Sequence, residues 1–116
     1  MRVTSELFVS ALIRRVFSSG GFAAVERKGA AEAGAIFIRQ RSRNGLETLY
    51  APAPQAFFLE DGKPNDRQFE VRLAGADGPA IDAIIAREAK FDSDLWVLEL
   101  EHDDVGDLFE ISNQVE

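Results

Sequence analysis

The chain of 116 residues is long enough for one hydrophobic core and too short for two comfortable domains. With 46% hydrophobic residues, 28% charged residues and a net charge of −7, it is typical of a globular protein rather than a disordered or fibrous one. The absence of cysteine excludes disulfides, zinc–thiolate sites and thiol catalysis, and no apolar run approaches the roughly 20 residues that a membrane span needs.

The charge is distributed unevenly along the chain. Residues 1–50 carry eight Lys/Arg and four Glu, whereas residues 51–116 carry five Lys/Arg and sixteen Asp/Glu. The overall acidity argues against non-specific nucleic-acid binding, which needs a positive potential over the contact surface. We expect the two halves to interleave in one sheet and neutralise each other, and a local basic face is the alternative.

A first helix is predicted to begin at Thr4 or Ser5 and to end at the Gly20–Gly21 pair. One half of its helical wheel is apolar: Phe8, Val9, Leu12, Ile13, Val16 and Phe17. Arg14 and Arg15 lie on the other half, so membrane-surface binding is an alternative to packing on a core. Two basic residues in a net-negative chain favour the core, and because nothing marks export we expect a cytoplasmic protein.

Three strands are predicted to follow the helix, over residues 22–28, 35–43 and 46–50. Asn44–Gly45 separates the second strand from the third and is the strongest hairpin signal in the chain. A two-residue type I′ turn needs a positive φ at both central positions, and Asn-Gly suits it best. We therefore predict a type I′ turn at this pair.

This turn fixes the predicted register of the hairpin. Cross-strand partners are then Arg43 with Leu46, Arg41 with Thr48, and Arg39 with Tyr50. Because side chains two residues apart in a strand share a face, all three arginines are predicted on one face of the sheet. Tyr50 would lie beside Arg39 and offer it a ring to stack on.

Two prolines in residues 51–54 are expected to end the third strand, because proline cannot donate to a ladder. A short strand over residues 56–59 is left open. The alternation of residues 67–73 predicts another strand, whose inward side chains would be Phe69, Val71 and Leu73.

A second helix is predicted from Asp77 or Gly78 to Phe91, with proline in its first turn. The last strand is predicted over residues 95–101, with Trp96 in the core. Residues 103–116 are acidic and weakly apolar, and they are predicted to form a flexible tail.

The element order is therefore helix, three strands, an optional fourth strand, a strand, a helix and a strand. This order predicts the α+β class, with a mainly antiparallel sheet of about five strands and two helices packed on one face. We expect a single domain over residues 1–102, followed by the tail at 103–116.

Four segments carry a resemblance to a known family: SALIRRVFSSGGFAAVERKG, AGAIFI, LYAPAP and FDSDLWVLELE. In this order they resemble short bacterial proteins grouped as domain-of-unknown-function family 1491. The resemblance covers the chain from about Ser5 to Glu101. Since the function of that family is unknown, the resemblance implies a small bacterial protein and no catalytic or binding residue.

The row of Arg39, Arg41 and Arg43 is the surface feature that invites a functional interpretation. Guanidinium groups suit bidentate contacts with carboxylate and phosphate, so the row, joined by Arg14 or Arg15, could bind an acidic partner, a phosphate ligand or RNA. The alternative is that the arginines pair across the sheet with carboxylates of this chain, namely Glu47, Glu70, Glu99 or Glu101. The sequence favours this second interpretation.

Catalytic motifs are missing from the chain. His102 is the only histidine, so any histidine-based acid–base mechanism would depend on it. The acidic run over residues 99–104 contains metal-ligand residue types, but one run of sequence does not bring ligands together from different segments. There is no serine elbow, P-loop or dinucleotide-binding glycine pattern. We assign no catalytic, cofactor-binding or metal-binding residue.

These observations favour a small, soluble, non-enzymatic protein that binds an unknown protein partner or associates with itself, through a basic sheet face or an exposed strand edge. One alternative is a binder of a small molecule or phosphate ligand, with or without catalysis, and a further alternative is RNA binding. The candidate binding residues are Arg39, Arg41, Arg43, Tyr50 and Arg15.

Overall fold

The computed structural model describes residues 3–53 and 67–113. Their two helices and six strands are α1 (Ser5–Ser18), β1 (Phe22–Arg27), β2 (Ile36–Arg41), β3 (Glu47–Pro52), β4 (Gln68–Ala76), α2 (Gly78–Phe91), β5 (Trp96–Glu101) and β6 (Glu110–Asn113). Neither helix is long and apolar enough to cross a membrane. The short strand predicted over residues 56–59 lies outside the described residues.

Both helices begin where the sequence predicts. The Thr4 side chain accepts a hydrogen bond from the Leu7 amide, and Asp77 accepts one from the Ala80 amide, so each caps the first turn of its helix. After α1, Gly20 has a φ of +91°, and the Gly21 amide donates to the Val16 carbonyl oxygen. A glycine in this left-handed conformation ends the helix.

The six strands form one mixed sheet in the order β1-β5-β2-β3-β4-β6. β2 is antiparallel to β3 and β3 to β4, but β5 lies between β1 and β2 and is parallel to β2, and β6 is parallel to β4. The prediction of a mainly antiparallel sheet of about five strands is therefore wrong. Hairpin signals report only on strands that adjoin in sequence, and β5 returns to the sheet after α2.

The two helices lie on opposite faces of the sheet. Ile36 and Ile38 of β2 belong to a core cluster with Leu12 of α1, whereas Phe37 belongs to a second cluster with Ile81 of α2. Successive residues of a strand point to opposite faces, so the two clusters are on different sides. The prediction of both helices on one face is wrong. The reason is that β2 and β5 each begin with three consecutive buried apolar residues, as expected for strands buried on both faces.

Residues 103–113 are part of the fold and not a flexible tail. Val105, Leu108 and Phe109 are buried in the core cluster on the α1 face, and β6 pairs with β4. The Phe109 ring stands edge-to-face on Tyr50 at 5.1 Å between centroids. The tail predicted at 103–116 is thus wrong for residues 103–113, because three apolar side chains spaced among the acids cover the half of the sheet that α1 leaves open.

Candidate functional site

The hairpin between β2 and β3 has a three-residue loop in place of the predicted type I′ turn. The Gly45 amide donates to the Ser42 carbonyl at 2.9 Å, the Ser42 amide donates to the Leu46 carbonyl at 3.0 Å, and Gly45 has a φ of +87°. Asn44 does not have a positive φ. The loop is therefore a turn closed by a glycine bulge, which also matches the twist of a hairpin.

The longer loop shifts the register by one residue. The Cα partners are Arg41 with Glu47, Arg39 with Leu49, and Ile38 with Tyr50. Tyr50 therefore faces α1 and Arg39 faces α2, so the prediction that they share a face is wrong. The Tyr50 hydroxyl donates to Oε1 of Gln40 at 3.1 Å, and burial raises the pKa of Tyr50. Tyr50 belongs to the core and not to a surface that could receive a ligand.

Arg39 lies at the centre of a carboxylate cluster. Its Nε is 2.6 Å from Oε1 of Glu47, and its Nη1 is 3.1 Å from Oε2 of Glu26 and 2.7 Å from Oδ1 of Asp82. Its Nη2 donates to the Gly78 carbonyl oxygen at 3.3 Å. The Arg39 and Glu47 side chains are only 11% and 4% exposed. This guanidinium ties the start of α2 to three strands.

The electrostatics of the cluster follow from burial and charge. Burial disfavours the charged form of Arg39, but its hydrogen bonds to Glu47 and Asp82 prevail and raise its pKa. Burial raises the pKa of Glu26; the attraction of Arg39 opposes this, while Glu99 and Asp82 add to it. Three carboxylates, those of Glu26, Glu47 and Asp82, surround the Arg39 guanidinium. Arg39 is therefore occupied by contacts within the fold.

Arg41 and Arg43 are also paired, but near solvent. Arg41 Nη2 lies 3.2 Å from Oε2 of Glu47, and its Nη1 lies 3.6 Å from Oε2 of Glu101. Arg43 Nη2 lies 3.2 Å from Oδ2 of Asp103. The Arg43 side chain is 90% exposed, whereas that of Arg41 is 52% exposed. The pairing within the sheet that the sequence favours is what the structure contains, with Glu47 and Glu101 as partners.

Arg15 lies apart from the other arginines, on the α1 face. Its Nη1 donates to the Leu108 carbonyl oxygen, which anchors residues 103–109 to the helix. Arg15 also lines a cavity of about 460 Å³ with Phe8 and Arg67. The structure therefore does not join Arg15 to the arginine row.

A polar groove of about 680 Å³ lies at the carboxyl ends of β2 and β5. We call it the polar groove, and its lining consists of Ser19, Gly20, Gly21, Arg41, Ser42, Arg43, Gly45, Glu101, His102, Asp103 and Asp104. The two strands end together because they are parallel, with Arg41 the Cα partner of Glu101. Crevices at the carboxyl ends of parallel strands are frequent ligand sites in α/β sheets.

His102 is held in the polar groove by close backbone packing. A Cβ added to Gly21 would lie 2.8 Å from Cδ2 of His102 and 2.7 Å from the Glu101 carbonyl oxygen, so only glycine fits there. Nδ1 of His102 accepts a hydrogen bond from the Asp104 amide at 3.0 Å. In the neutral ring the proton is therefore on Nε2, which is a hydrogen-bond donor.

The sequence supplied Arg41 and Arg43 as candidates but missed the rest of the polar groove. Glycines 20 and 21 were visible only as a helix stop, and His102 and Asp103 only as a strand end. Nothing local indicates that β5 is parallel to β2, which is what brings these segments together. Among the described residues, no group of three or more His, Asp or Glu side chains is placed to hold a metal ion.

The outer edge of β1 is a second surface feature. β1 is the terminal strand of the sheet, and within residues 3–53 and 67–113 no strand pairs with its outer side. Beside it lie three exposed apolar side chains: Phe17, Phe22 and Val25, which are 51%, 44% and 42% exposed. The rings of Phe17 and Phe22 are in edge-to-face contact at 5.7 Å between centroids. Val25 lies three residues from Phe22 in β1, so the two side chains point to opposite faces of the sheet. We call these three residues the apolar strip, which borders the edge on both faces.

The fold defines an α+β protein with a mixed six-stranded sheet between two helices. The chain belongs to the family described as "Protein of unknown function (DUF1491)", which it matches over residues 3–110. This confirms the family resemblance found in the sequence.

The chain is similar to several solved structures. A solution structure of a protein from A. tumefaciens is 58% identical, covers 100% of this chain and 99% of its own, and has a TM-score of 0.88. A crystal structure of a DUF1491 family protein from Caulobacter crescentus CB15 is 30% identical, with coverage of 97% and 100% and a TM-score of 0.77. An NMR structure of a family protein from the same organism is 31% identical, with coverage of 97% and 99% and a TM-score of 0.77. No curated protein matched the chain.

Proposed function

We propose that this protein is a non-enzymatic interaction module and that two copies associate through the outer edge of β1. The version of this idea that used a basic sheet face loses its support, because Arg39 and Arg41 are engaged by carboxylates of the same chain. The strand edge keeps its support. The single observation that carries the proposal is the coincidence of this edge with the apolar strip.

The edge offers two kinds of interaction to a second copy. A terminal strand presents backbone N–H and C=O groups that can extend the sheet by strand addition. A bulge between Val25 and Arg27 interrupts the regular ladder, so the residues available for pairing are Phe22 to Val25. The exposed rings of Phe17 and Phe22 lie at the start of this segment, where they add apolar contact area.

Charge complementarity favours a second copy as the partner. In an antiparallel, two-fold arrangement, Lys28 of one copy approaches the Phe22 end of the other copy. Glu101, which is half exposed, is the cross-strand partner of Phe22 at that end. Lys28 of each copy therefore extends past the Phe22 end of the other copy, near Glu101, so a favourable long-range attraction acts twice. No like charges are brought together at the centre of the edge.

The test is sedimentation equilibrium of the full chain up to about 1 mM, which detects association as weak as about −4 kcal/mol. Because the edge is short, we expect a dimer with a dissociation constant between about 10 μM and 1 mM. Val25→Lys should leave a monomer. Val71→Lys is the matched control, since Val71 is also 42% exposed but lies on the interior strand β4.

A wild-type protein that stays monomeric over this range would refute the proposal. The proposal would also be refuted if Val25→Lys and Val71→Lys weakened dimerisation equally, because the effect would then come from the added charge and not from its position at the edge. Circular dichroism of both variants establishes that each remains folded.

A further inference from the structure

The polar groove has the position and composition of a ligand site, and it adjoins the Phe22 end of β1 through Glu101. It gathers side chains from three segments far apart in sequence, namely the α1–β1 connection, the β2–β3 turn and the end of β5. Gly20 and Gly45 have open space where a Cβ would stand, so their backbone is accessible to a ligand. A concave site with a few convergent polar groups is where small molecules usually bind.

Two exposed ion pairs form the charged walls of the groove. Arg41 and Glu101 are each 52% exposed and 3.6 Å apart, and Arg43 and Asp103 are 90% and 51% exposed and 3.2 Å apart. Exposed pairs of this kind contribute about 0–1 kcal/mol, so a ligand can open them at little cost. This differs from Arg39 and Glu47, which are buried against each other.

The balance of charge in the groove selects the class of ligand. Its three carboxylates (Glu101, Asp103 and Asp104) exceed its two guanidinium groups by one negative charge. A purely anionic ligand such as phosphate would meet this excess, as well as the net charge of −7 of the chain. A purely cationic ligand would meet both arginines. A ligand with one charge of each sign can be complementary to both walls.

The separation of the ion pairs sets the spacing of the ligand charges. Arg41 is the Cα partner of Glu101, and Asp103 lies two residues beyond Glu101, bound at Oδ1 by the Arg43 amide at 2.9 Å. Asp103 lies past the end of β5, and two residues of chain span at most about 7 Å. A ligand with an ammonium and a carboxylate separated by several bonds can therefore span both pairs.

We propose that the polar groove binds a small zwitterion, with its ammonium on the carboxylates of Glu101 and Asp103 and its carboxylate on Arg41, Arg43 and His102. His102 lines the same groove as the two arginines, and because its Nδ1 accepts from the Asp104 amide, its Nε2–H is available as a hydrogen-bond donor.

The experiment is a titration of the isotopically labelled chain, followed by amide NMR. The probes are 6-aminohexanoate, hexanoate, hexylamine and inorganic phosphate at equal concentration and ionic strength. We expect saturable shifts for 6-aminohexanoate at Gly20, Gly21 and Gly45, which lie in the groove. Hexanoate and hexylamine each lack one charge and should bind about tenfold more weakly or worse, a loss of about 1.4 kcal/mol.

Two variants and a control test whether the ion pairs are responsible. Arg43→Gln and Asp103→Asn each remove one charge from an exposed side chain. Each should weaken the binding of 6-aminohexanoate at least about tenfold. Arg72→Gln removes one charge from a pair with Glu88 that does not line the groove, and it should leave the binding of 6-aminohexanoate unchanged.

Three results would overturn the proposal. The first is phosphate or hexanoate binding as tightly as 6-aminohexanoate, which would make the groove an anion site. The second is shifts spread over the surface without saturation. The third is equal binding by Arg43→Gln and the wild type.

Discussion

Replacing Arg39 with methionine should be among the most damaging single changes in this protein. Arg39→Met keeps an apolar stem of similar length but removes the 2.6 Å partner of Glu47, whose side chain is 4% exposed and keeps only the half-exposed Arg41 at 3.2 Å. Removing one member of a buried pair costs about 3–5 kcal/mol, because the remaining charge stays desolvated. The loss of the bond to the Gly78 carbonyl oxygen also detaches the first turn of α2 from the sheet.

The assay is urea unfolding at neutral pH, followed by the fluorescence of the buried Trp96. Arg39→Met should lower the free energy of unfolding by about 3–5 kcal/mol. Arg72→Met, which breaks a partly exposed pair with Glu88, should lower it by at most about 1 kcal/mol. The double variant Arg39→Met/Glu47→Leu should recover a large part of the loss, since no charge is then left buried.

The reasoning fails if Arg39→Met costs no more than Arg72→Met, because the cluster would then be as well solvated as a surface pair. It also fails if the double variant is less stable than Arg39→Met alone, because the cost would then come from lost packing and not from the isolated carboxylate.

Two further predictions concern the α1 face. Phe109→Ala should lower the free energy of unfolding by about 3–5 kcal/mol in the same assay, because the ring packs on Tyr50 and Phe69. A decrease below about 1 kcal/mol would mean that residues 103–113 do not contribute to the core. Tyr50→Phe should cost about 1 kcal/mol at neutral pH through the lost bond to Gln40. Burial raises the folded-state pKa of Tyr50, so the native state holds this proton to higher pH than the unfolded state does, and wild-type stability falls as the pH rises above about 10, the ordinary pKa of tyrosine. Tyr50→Phe should lack this alkaline loss, and identical profiles for the two proteins above that pH would contradict the burial of the phenol.

β4 shows that a bulge can override the rule that alternate residues of a strand share a face. Phe69, Val71 and Leu73 were expected on one face. Phe69 is in the α1-face cluster, Leu73 packs against the α2-face cluster, and Val71 is 42% exposed. The pairing changes phase between Leu49–Leu73 and Tyr50–Val71, so β4 has one extra residue at this bulge. A bulge reverses the faces of all residues beyond it, and the alternation of the strand itself does not reveal it.

The arginine row illustrates the same limit at the candidate site. The sequence predicted a hairpin at Asn44–Gly45 and carboxylate partners for the arginines, and both are present. It could not predict the loop length, because Asn-Gly also suits a three-residue loop in which only Gly45 needs a positive φ. One residue of difference moved Tyr50 to the other face of the sheet.

The sequence by itself determined the two helices with their caps at Thr4 and Asp77, the glycine stop after α1, the family, and the α+β class. These follow from interactions within a few residues of the chain, which local patterns record. Only the tertiary structure decided the insertion of β5 between β1 and β2, the opposite faces of the helices, and the packing of residues 105–109. Those outcomes depend on which distant apolar surfaces bury each other most completely, and the polar groove at the ends of β2 and β5 exists as a result of that choice.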